Sequence, residues 1–323
     1  MTAPTRSTLA LDIGGTKLAV GIVDPHGTVT GLRITPTRKH EGYASVIRRL
    51  FDLAHASLAD AGDPEIDAVG ISCGGPLDAE AGIVHRPLNL PDWDAVPIGP
   101  LAAEEFGVPA HLVNDATAGM IGEHRHGIAR GTRDALYLTL STGVGGGAIV
   151  DGRLHRGAAA NGGEFGHVMV RPGGRVCTCG RRGCLEGYAS GTSIALRARE
   201  AVAEAAAPTL LSAFATVRAE DVVAAAQSGD ALAQALWAET VEVVGQAVTD
   251  LVNTFEPEVV VLGGGVTRAG AMLLDPVRAH VARWAMPPAA AAVHIEFAAL
   301  GEAVCVVGAA VHASDRSEEP SHA

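Results

Sequence analysis

Near its N-terminus the sequence reads Leu9-Ala-Leu-Asp-Ile-Gly-Gly-Thr-Lys17, followed directly by Leu18-Ala-Val-Gly-Ile-Val23. Two short apolar runs flank a glycine turn, and Asp24-Pro-His-Gly27 supplies the next turn signal. This pattern predicts a β-hairpin and differs from the strand–helix opening of a dinucleotide-binding domain. The pattern recurs where the apolar runs 135–140 and 147–150 flank Ser141-Thr-Gly-Val-Gly-Gly-Gly147. The sequence therefore predicts that one strand–turn–strand unit is used twice.

Apolar periodicity places helices and buried strands between and after the two units. Apolar residues recur at helical spacing over 46–58, around 237–251 and over 303–311, which predicts three helices. Short apolar runs predict strands at 68–73, 111–113, 259–262 and 293–297. The strand at 111–113 delivers Asn114 and Asp115 at its end, a place where functional side chains commonly lie.

The composition is that of a globular protein, with 323 residues of which 48% are hydrophobic and 19% charged. That length is typical of two domains. A formal net charge of -12 gives no general attraction to nucleic acid or to an anionic membrane. The N-terminal residues carry no apolar core of signal-peptide length, and no apolar run is long enough to span a membrane. We therefore expect a cytoplasmic protein that binds neither nucleic acid nor membrane.

The glycine turns predict a nucleotide site. Without a Cβ, Gly14 and Gly15 allow backbone N–H groups to approach a phosphate, and Thr16 and Lys17 add a hydroxyl and a charge. Asp12 could hold magnesium, directly or through water. An ordinary tight turn is the alternative for a single glycine pair. The further turns at 142–147 and 263–265, each after an apolar strand, favour a nucleotide.

Asp115 follows an apolar strand and is a candidate general base that takes a proton from a hydroxyl attacking a phosphoryl group. The alternative is that Asp115 is a helix N-cap, because residues 116–121 could begin a helix. Upstream, the loop Asn89-Leu-Pro-Asp-Trp93 offers an amide for hydroxyl recognition. Trp93 would pack behind a bound ring or, alternatively, fill the hydrophobic core.

Four residues have the spacing of a metal site: His167, Cys177, Cys179 and Cys184. Three thiolates and one imidazole suit tetrahedral zinc, and four protein ligands make such a site closed and structural. The alternative is free or disulfide-bonded cysteines. The surrounding glycines, which let a short chain wrap around an ion, favour zinc.

Two carboxylates flank the predicted metal ligands. Glu164 lies three residues before His167, and Glu186 lies two residues after Cys184. A metal that gathers the four ligands would also fix these carboxylates, which predicts a metal-braced site for a polar ligand. The second ring nitrogen of His167 would face an oxygen acceptor, either Glu164 or a ligand hydroxyl.

Seven motifs together resemble the ROK family of sugar kinases, and they cover the chain from about Leu9 to Val311. They are Leu11-Asp-Ile-Gly-Gly-Thr-Lys17, Asn89-Leu-Pro-Asp-Trp93, Asn114-Asp-Ala116, Ser141-Thr-Gly-Val-Gly-Gly-Gly147, Gly163-Glu-Phe-Gly-His167, Cys177-Thr-Cys-Gly-Arg-Arg-Gly-Cys-Leu-Glu-Gly-Tyr-Ala-Ser-Gly191 and Leu262-Gly-Gly-Gly-Val266.

The resemblance implies an α/β fold of the actin-like, hexokinase type (ribonuclease H-like), with two domains and a duplicated core that close over ATP and sugar. The first domain would span residues 1–120 and be rejoined by a C-terminal helix at 303–313. The second would span 121–302 and carry the zinc-binding insertion and the adenosine site. Residues 314–323 are polar, and we expect them to be disordered. A homodimer or homotetramer is also implied.

The resemblance also assigns roles in the ATP-dependent phosphorylation of the 6-hydroxyl of a hexopyranose such as glucose. Asp115 resembles the catalytic base. Gly264 and Gly265 would lie against the adenosine. The positions that resemble sugar-hydroxyl contacts are Asn89, Asn114, Glu164, His167 and Glu186, and those that resemble magnesium and phosphate contacts are Asp12, Gly14, Gly15, Thr16, Thr142 and Gly143.

Two departures from the family pattern lie beside the expected sugar site. Asp92 stands where glycine is common, and Thr117 where asparagine is common. Kinases of N-acetylmannosamine, N-acetylglucosamine, allose and fructose share the framework, so these alternatives to glucose stay open; Glu164 and His167 favour a hexopyranose over fructose. The family also includes sugar-responsive transcriptional regulators with a helix-turn-helix domain. The short segment before residue 9 and the net charge of -12 argue against that function.

Overall fold

The computed structural model describes residues 7–205 and 207–318 and contains twelve strands within these ranges. They are β1 (Ser7–Ile13), β2 (Lys17–Val23), β3 (Val29–Pro36), β4 (Ile66–Cys73), β5 (Leu77–Asp78), β6 (Ile83–Val84), β7 (Ala110–Asn114), β8 (Ala135–Leu140), β9 (Val144–Val150), β10 (Arg153–Leu154), β11 (Val259–Gly263) and β12 (His294–Phe297).

Ten α-helices lie in the same ranges. They are α1 (Tyr43–Asp60), α2 (Ile98–Phe106), α3 (Asp115–His126), α4 (Glu186–Ala189), α5 (Gly191–Glu204), α6 (Ala219–Gln227), α7 (Ala231–Phe255), α8 (Ala271–Trp284), α9 (Pro287–Ala292) and α10 (Val304–Glu318). None of these helices has the length and apolar character needed to cross a membrane.

The strands form two five-stranded sheets with the same topology. The first has the order β3-β2-β1-β4-β7 and the second β10-β9-β8-β11-β12. In each sheet three consecutive strands pair in antiparallel fashion. A fourth strand pairs in parallel with the first of the three, and a fifth pairs in parallel with the fourth. The predicted α/β fold with a duplicated core is therefore confirmed. The predicted boundary between the two domains at residue 120 lies inside α3, and it stays a prediction.

Helix α10 packs tightly against the first sheet and α3. A Cβ added to Gly308 would lie 1.7 Å from the Ala118 carbonyl oxygen, and one added to Gly70 would lie 2.1 Å from that of Ala309. Such distances exclude any side chain at Gly70 and Gly308. The C-terminal helix is therefore fixed beside the strand that carries Asp12 and the helix that begins with Asp115.

The expected disordered tail at 314–323 is wrong for its first part. Helix α10 continues to Glu318. Two ion pairs hold this extension, because Asp315 accepts hydrogen bonds from Arg125 and Arg316 pairs with Glu80. The remainder of the expected tail, residues 319–323, lies outside the described residues.

Candidate active site and metal centre

Three parallel strands of the first sheet end at a common edge and bring acidic residues together. The β1–β4 register pairs Asp12 with Ser72, and the β4–β7 register pairs Cys73 with Asn114. Asp115 follows β7 directly. The polar groups predicted at separate strand ends therefore belong to one edge of the sheet.

Asp12 is a buried carboxyl with one oxygen already held by the protein. The Ser72 hydroxyl donates a hydrogen bond to Asp12 Oδ1. Burial raises the pKa of Asp12 to about 6, opposed by the Ser72 hydrogen bond and reinforced by the negative charge of Asp115. Such a desolvated carboxylate with an oxygen to spare suits a hard cation such as Mg²⁺.

Asp115 is the first residue of α3. Its two predicted roles are general base and helix N-cap, and the structure decides whether it is the N-cap. Asn114 is the N-cap, since its side-chain oxygen accepts hydrogen bonds from the N–H groups of Ala116 at 3.0 Å and Thr117 at 3.1 Å. The interpretation of Asp115 as the N-cap is therefore wrong. Burial raises the pKa of Asp115, partly offset by a hydrogen bond that its Oδ1 accepts from the Ala116 N–H. A raised pKa makes its carboxylate a stronger base.

The glycine turns of the two sheets contact each other, and the space that they border between the sheets is called the cleft below. Thr16 Oγ1 lies 3.1 Å from Thr142 Oγ1, although 126 positions separate them in the chain. Asn89 packs between the turns, because a Cβ built on Gly15 would lie 2.7 Å from Asn89 Cβ and one on Gly143 would lie 3.5 Å from Asn89 Nδ2. The two predicted phosphate turns and the predicted sugar-binding amide are thus one cluster.

The third glycine turn follows β11 and contacts the second sheet. Gly264 has φ +87°, and a Cβ there would lie 2.4 Å from the Leu140 carbonyl oxygen, so only glycine fits. A Cβ on Gly265 would meet no atom within 4 Å. Gly265 therefore lies beside open space, as a residue against a bound adenosine must.

Three charged side chains beside the first glycine turn form two ion pairs. Glu302 Oε1 lies 3.4 Å from Lys17 Nζ and 3.2 Å from an Arg268 guanidinium nitrogen. All three side chains are more than a third exposed, so these ion pairs contribute little to stability. Lys17, predicted to meet phosphate, therefore has a protein carboxylate as its partner here.

The four predicted metal ligands come together. Their ligand atoms all lie within 4.8 Å of one another. Cys179 Sγ lies 3.8 Å from Cys184 Sγ, and Cys177 Sγ lies 3.7 Å from His167 Nδ1. Tetrahedral Zn–S bonds of about 2.3 Å place two sulfurs about 3.8 Å apart, so the spacing and the donor set both fit zinc. All five cysteines are free, which excludes the disulfide alternative.

The two flanking carboxylates also lie at the site. The second ring nitrogen of His167 lies 3.8 Å from Glu164 Oε2, too far for a direct hydrogen bond. Burial raises the pKa of Glu164; the charge of His167 opposes this shift, while the negative charges of Asp115 and Glu186 add to it. The negative charges of the predicted base and of the second flanking carboxylate therefore both act on Glu164.

Glu186 begins helix α4 and accepts hydrogen bonds on both oxygens. Oε2 accepts from the Val144 N–H at 2.9 Å, and Oε1 accepts from the Thr178 hydroxyl at 2.7 Å. Val144 is the first residue of β9, directly after Thr142 and Gly143, and Thr178 lies between two metal ligands. Glu186 therefore connects the second glycine turn to the segment 167–184, which contains the four predicted metal ligands and is called the metal loop below.

Trp93 belongs to the hydrophobic core of the first sheet and is 1% exposed. The interpretation of Trp93 as core filler is therefore confirmed, and its indole does not line the cleft.

Among the described residues, sequence reasoning missed three polar residues whose side chains contact the side chain of a predicted site residue: Ser72, Thr178 and Glu302. Ser72 and Glu302 reach their partners only through the tertiary fold, so no local pattern marks them. Thr178 had a usable signal, because it lies between Cys177 and Cys179 in a loop whose spacing already predicted a metal site.

Comparison with known proteins gives a consistent picture. The family model described as "ROK family" matches residues 8–316. The chain is 35% identical over 310 residues to a glucokinase of Thermotoga maritima, which covers 95% of this chain and 97% of that protein. It is also 36% identical over 260 residues to an N-acetylmannosamine kinase of Citrobacter koseri, which covers 80% of this chain and 83% of that protein.

Among solved structures, the chain is similar to a ROK family glucokinase from Streptomyces griseus in complex with glucose and AMPPNP. The TM-score is 0.81 with 32% sequence identity, and the alignment covers 96% of this chain and 99% of the other. The likeness therefore extends over nearly the whole of both chains.

Proposed function

The chain belongs to the ROK family, and we propose that it is an ATP-dependent sugar kinase that transfers the γ-phosphoryl group of ATP to the 6-hydroxyl of glucose. The observation that carries the proposal is that the two glycine turns contact each other through Thr16 and Thr142. Glu186 bonds to Val144 beside the second turn, and Asp115 follows β7 at the edge of the sheet from which the first turn leaves. Phosphoryl transfer needs such an arrangement, because positioning and charge neutralisation supply most of the catalysis.

The nucleotide binds between the glycine turns. Backbone N–H groups at Gly15–Thr16 and Thr142–Gly143 contact the phosphates, while the Gly14 N–H closes its turn by donating to the Lys17 carbonyl oxygen at 3.0 Å. Lys17 exchanges Glu302 for a phosphate oxygen. Gly264 and Gly265 lie against the adenosine. Asp12 is the residue that would hold Mg²⁺, which would supply neutralisation of the negative charge on the phosphate oxygens.

Asp115 is the general base. Its carboxylate takes the proton of the sugar 6-hydroxyl as that oxygen forms a bond to the γ-phosphorus and the bond to the β–γ bridging oxygen breaks. The products are the sugar 6-phosphate and ADP. The protein thus supplies a base of raised pKa beside the glycine turns that bind phosphate. Closure of the two domains excludes water from this site.

The remaining sugar hydroxyls contact five polar residues on both sides of the cleft. Glu164 and His167 lie close enough together for one hydroxyl to contact both. His167, Cys177, Cys179 and Cys184 would hold a structural zinc, which would fix this side of the site. The five proposed sugar contacts are Asn89, Asn114, Glu164, His167 and Glu186.

The acid limb of the pH profile follows from the raised pKa of the base. Activity requires the Asp115 carboxylate, so activity is lost as the pH falls through a pKa above the ordinary aspartate value of 3.8. We expect kcat/KM for glucose to decline on the acid side at a higher pH than an unperturbed aspartate would give. Tryptophan fluorescence at each pH controls for unfolding; a limb at or below the ordinary value in folded protein would contradict the assignment.

A hexose panel tests the proposed substrate. ADP release is measured with glucose, N-acetylmannosamine, N-acetylglucosamine, allose and fructose at matched concentrations. We expect the highest kcat/KM with glucose. A higher value with N-acetylmannosamine would replace glucose as the substrate, in line with the relatives that carry that activity. No sugar-dependent ADP release from any of the five would refute the kinase proposal.

The location in the cytoplasm and a homodimer or homotetramer are further parts of the proposal. They rest on the family resemblance and on the composition, and size-exclusion chromatography with light scattering measures the second directly.

A further inference from the structure

Glu186 is held from two sides by groups that belong to different parts of the fold. The Thr178 hydroxyl donates to Oε1 at 2.7 Å, and the Val144 N–H donates to Oε2 at 2.9 Å. The turn before Val144 packs directly on the carboxylate, because a Cβ at Gly143 would lie 2.7 Å from Oε2. With a bond on each oxygen, the plane of the carboxylate is fixed and one lone pair per oxygen stays available.

Thr178 is placed by the metal loop itself. Its two neighbours in the chain, Cys177 and Cys179, both belong to the ligand cluster. Cys177 Sγ also lies 3.6 Å from Glu186 Oε1. A coordinating cysteine is a thiolate and has no proton to donate, so metal binding leaves the Thr178 hydroxyl as the side-chain donor to Oε1 among the described residues.

We propose that Thr178 is a positioning residue that orients Glu186 toward the sugar and so transmits the geometry of the metal loop to the sugar site. The inference rests on the proposed function, in which Glu186 contacts sugar hydroxyls. A hydroxyl donating to a carboxylate fixes the rotamer of the carboxylate as well as stabilising its charge. This role explains why a closed, non-catalytic metal site lies beside a kinase cleft.

Two variants separate the hydroxyl from the shape of the side chain. Thr178→Val keeps the branched shape and removes the hydroxyl, whereas Thr178→Ser keeps the hydroxyl. We expect Thr178→Val to raise both the glucose Kd, measured by calorimetry without nucleotide, and the glucose KM by about three- to tenfold, the effect of losing one hydrogen bond of ordinary strength at an exposed site. The KM for ATP should change by less than about twofold, which is smaller than the change expected in the KM for glucose.

The controls test whether both variants keep their zinc and their fold. Thr178→Ser should bind glucose like the wild type, and both variants should retain wild-type zinc content, measured by elemental analysis, and wild-type Tm. Wild-type glucose affinity in Thr178→Val would overturn the proposal. An equal loss in both variants, or a loss accompanied by loss of zinc, would assign the effect to the metal loop and overturn it too.

Failure of the proposed function gives a different result. If the wild type itself binds and phosphorylates another sugar of the panel, the same comparison is made with that sugar. If the wild type binds none of the five sugars, the proposed function fails first, and the positioning role fails with it because Glu186 has no sugar to meet.

Discussion

Asp115→Asn should lower kcat by roughly 10²- to 10⁴-fold, the usual contribution of a general base, while the glucose Kd stays within about twofold of the wild-type value because the amide is nearly isosteric. The amide cannot accept the proton of the 6-hydroxyl, but its oxygen can still accept the hydrogen bond from the Ala116 N–H. ADP release measures the first quantity, and calorimetry without nucleotide measures the second.

Asp151→Asn is the matched control for this substitution. Asp151 is an exposed carboxylate paired with Arg133 on the second sheet, away from the cleft. The same chemical change there should leave kcat unaltered. An Asp115→Asn variant that turns over at a rate near that of the wild type would remove Asp115 from the role of base.

Cys179→Ser should lower zinc content, thermal stability and sugar affinity together. Structural zinc contributes folding free energy through its ligands, and a serine hydroxyl is a poor replacement for a thiolate. We expect a Tm lower by roughly 5 °C or more, since about 1 kcal/mol shifts the Tm of a domain of this size by a few degrees. Elemental analysis, differential scanning calorimetry and the glucose KM measure the three effects.

Cys305→Ser provides the comparison for metal content. Cys305 lies outside the ligand cluster, and its thiol donates to the Asp115 carbonyl oxygen at 3.5 Å. This variant should therefore keep its zinc. Full activity and wild-type Tm in zinc-free Cys179→Ser would refute the bracing role of the metal.

Local patterns in the sequence were sufficient for the duplicated units and for the metal ligands. Glycine between two apolar runs predicts a strand–turn–strand unit without any knowledge of distant residues, and both sheets contain it. His167 and Cys184 are close in the chain, so their meeting needs only a short loop. Such features depend on spacing, which the sequence displays directly.

The contacts that unite the site depend on tertiary packing instead. Thr16 meets Thr142 only because the two sheets face each other, and Glu302 meets Lys17 only because the C-terminal helix returns to the first sheet. The choice between Asn114 and Asp115 as the cap was local but degenerate, because both residue types are good N-caps. Backbone geometry at the end of β7 decided it in favour of Asn114.

Identification of the product tests the proposed reaction most directly. Glucose, ATP and Mg²⁺ are incubated with the purified protein, and ³¹P and ¹³C NMR locate the new phosphate ester. The proposal predicts glucose 6-phosphate and ADP in equal amounts, with neither formed at a comparable rate by Asp115→Asn. Phosphate on another carbon, or ADP and inorganic phosphate beside unmodified glucose, would contradict it.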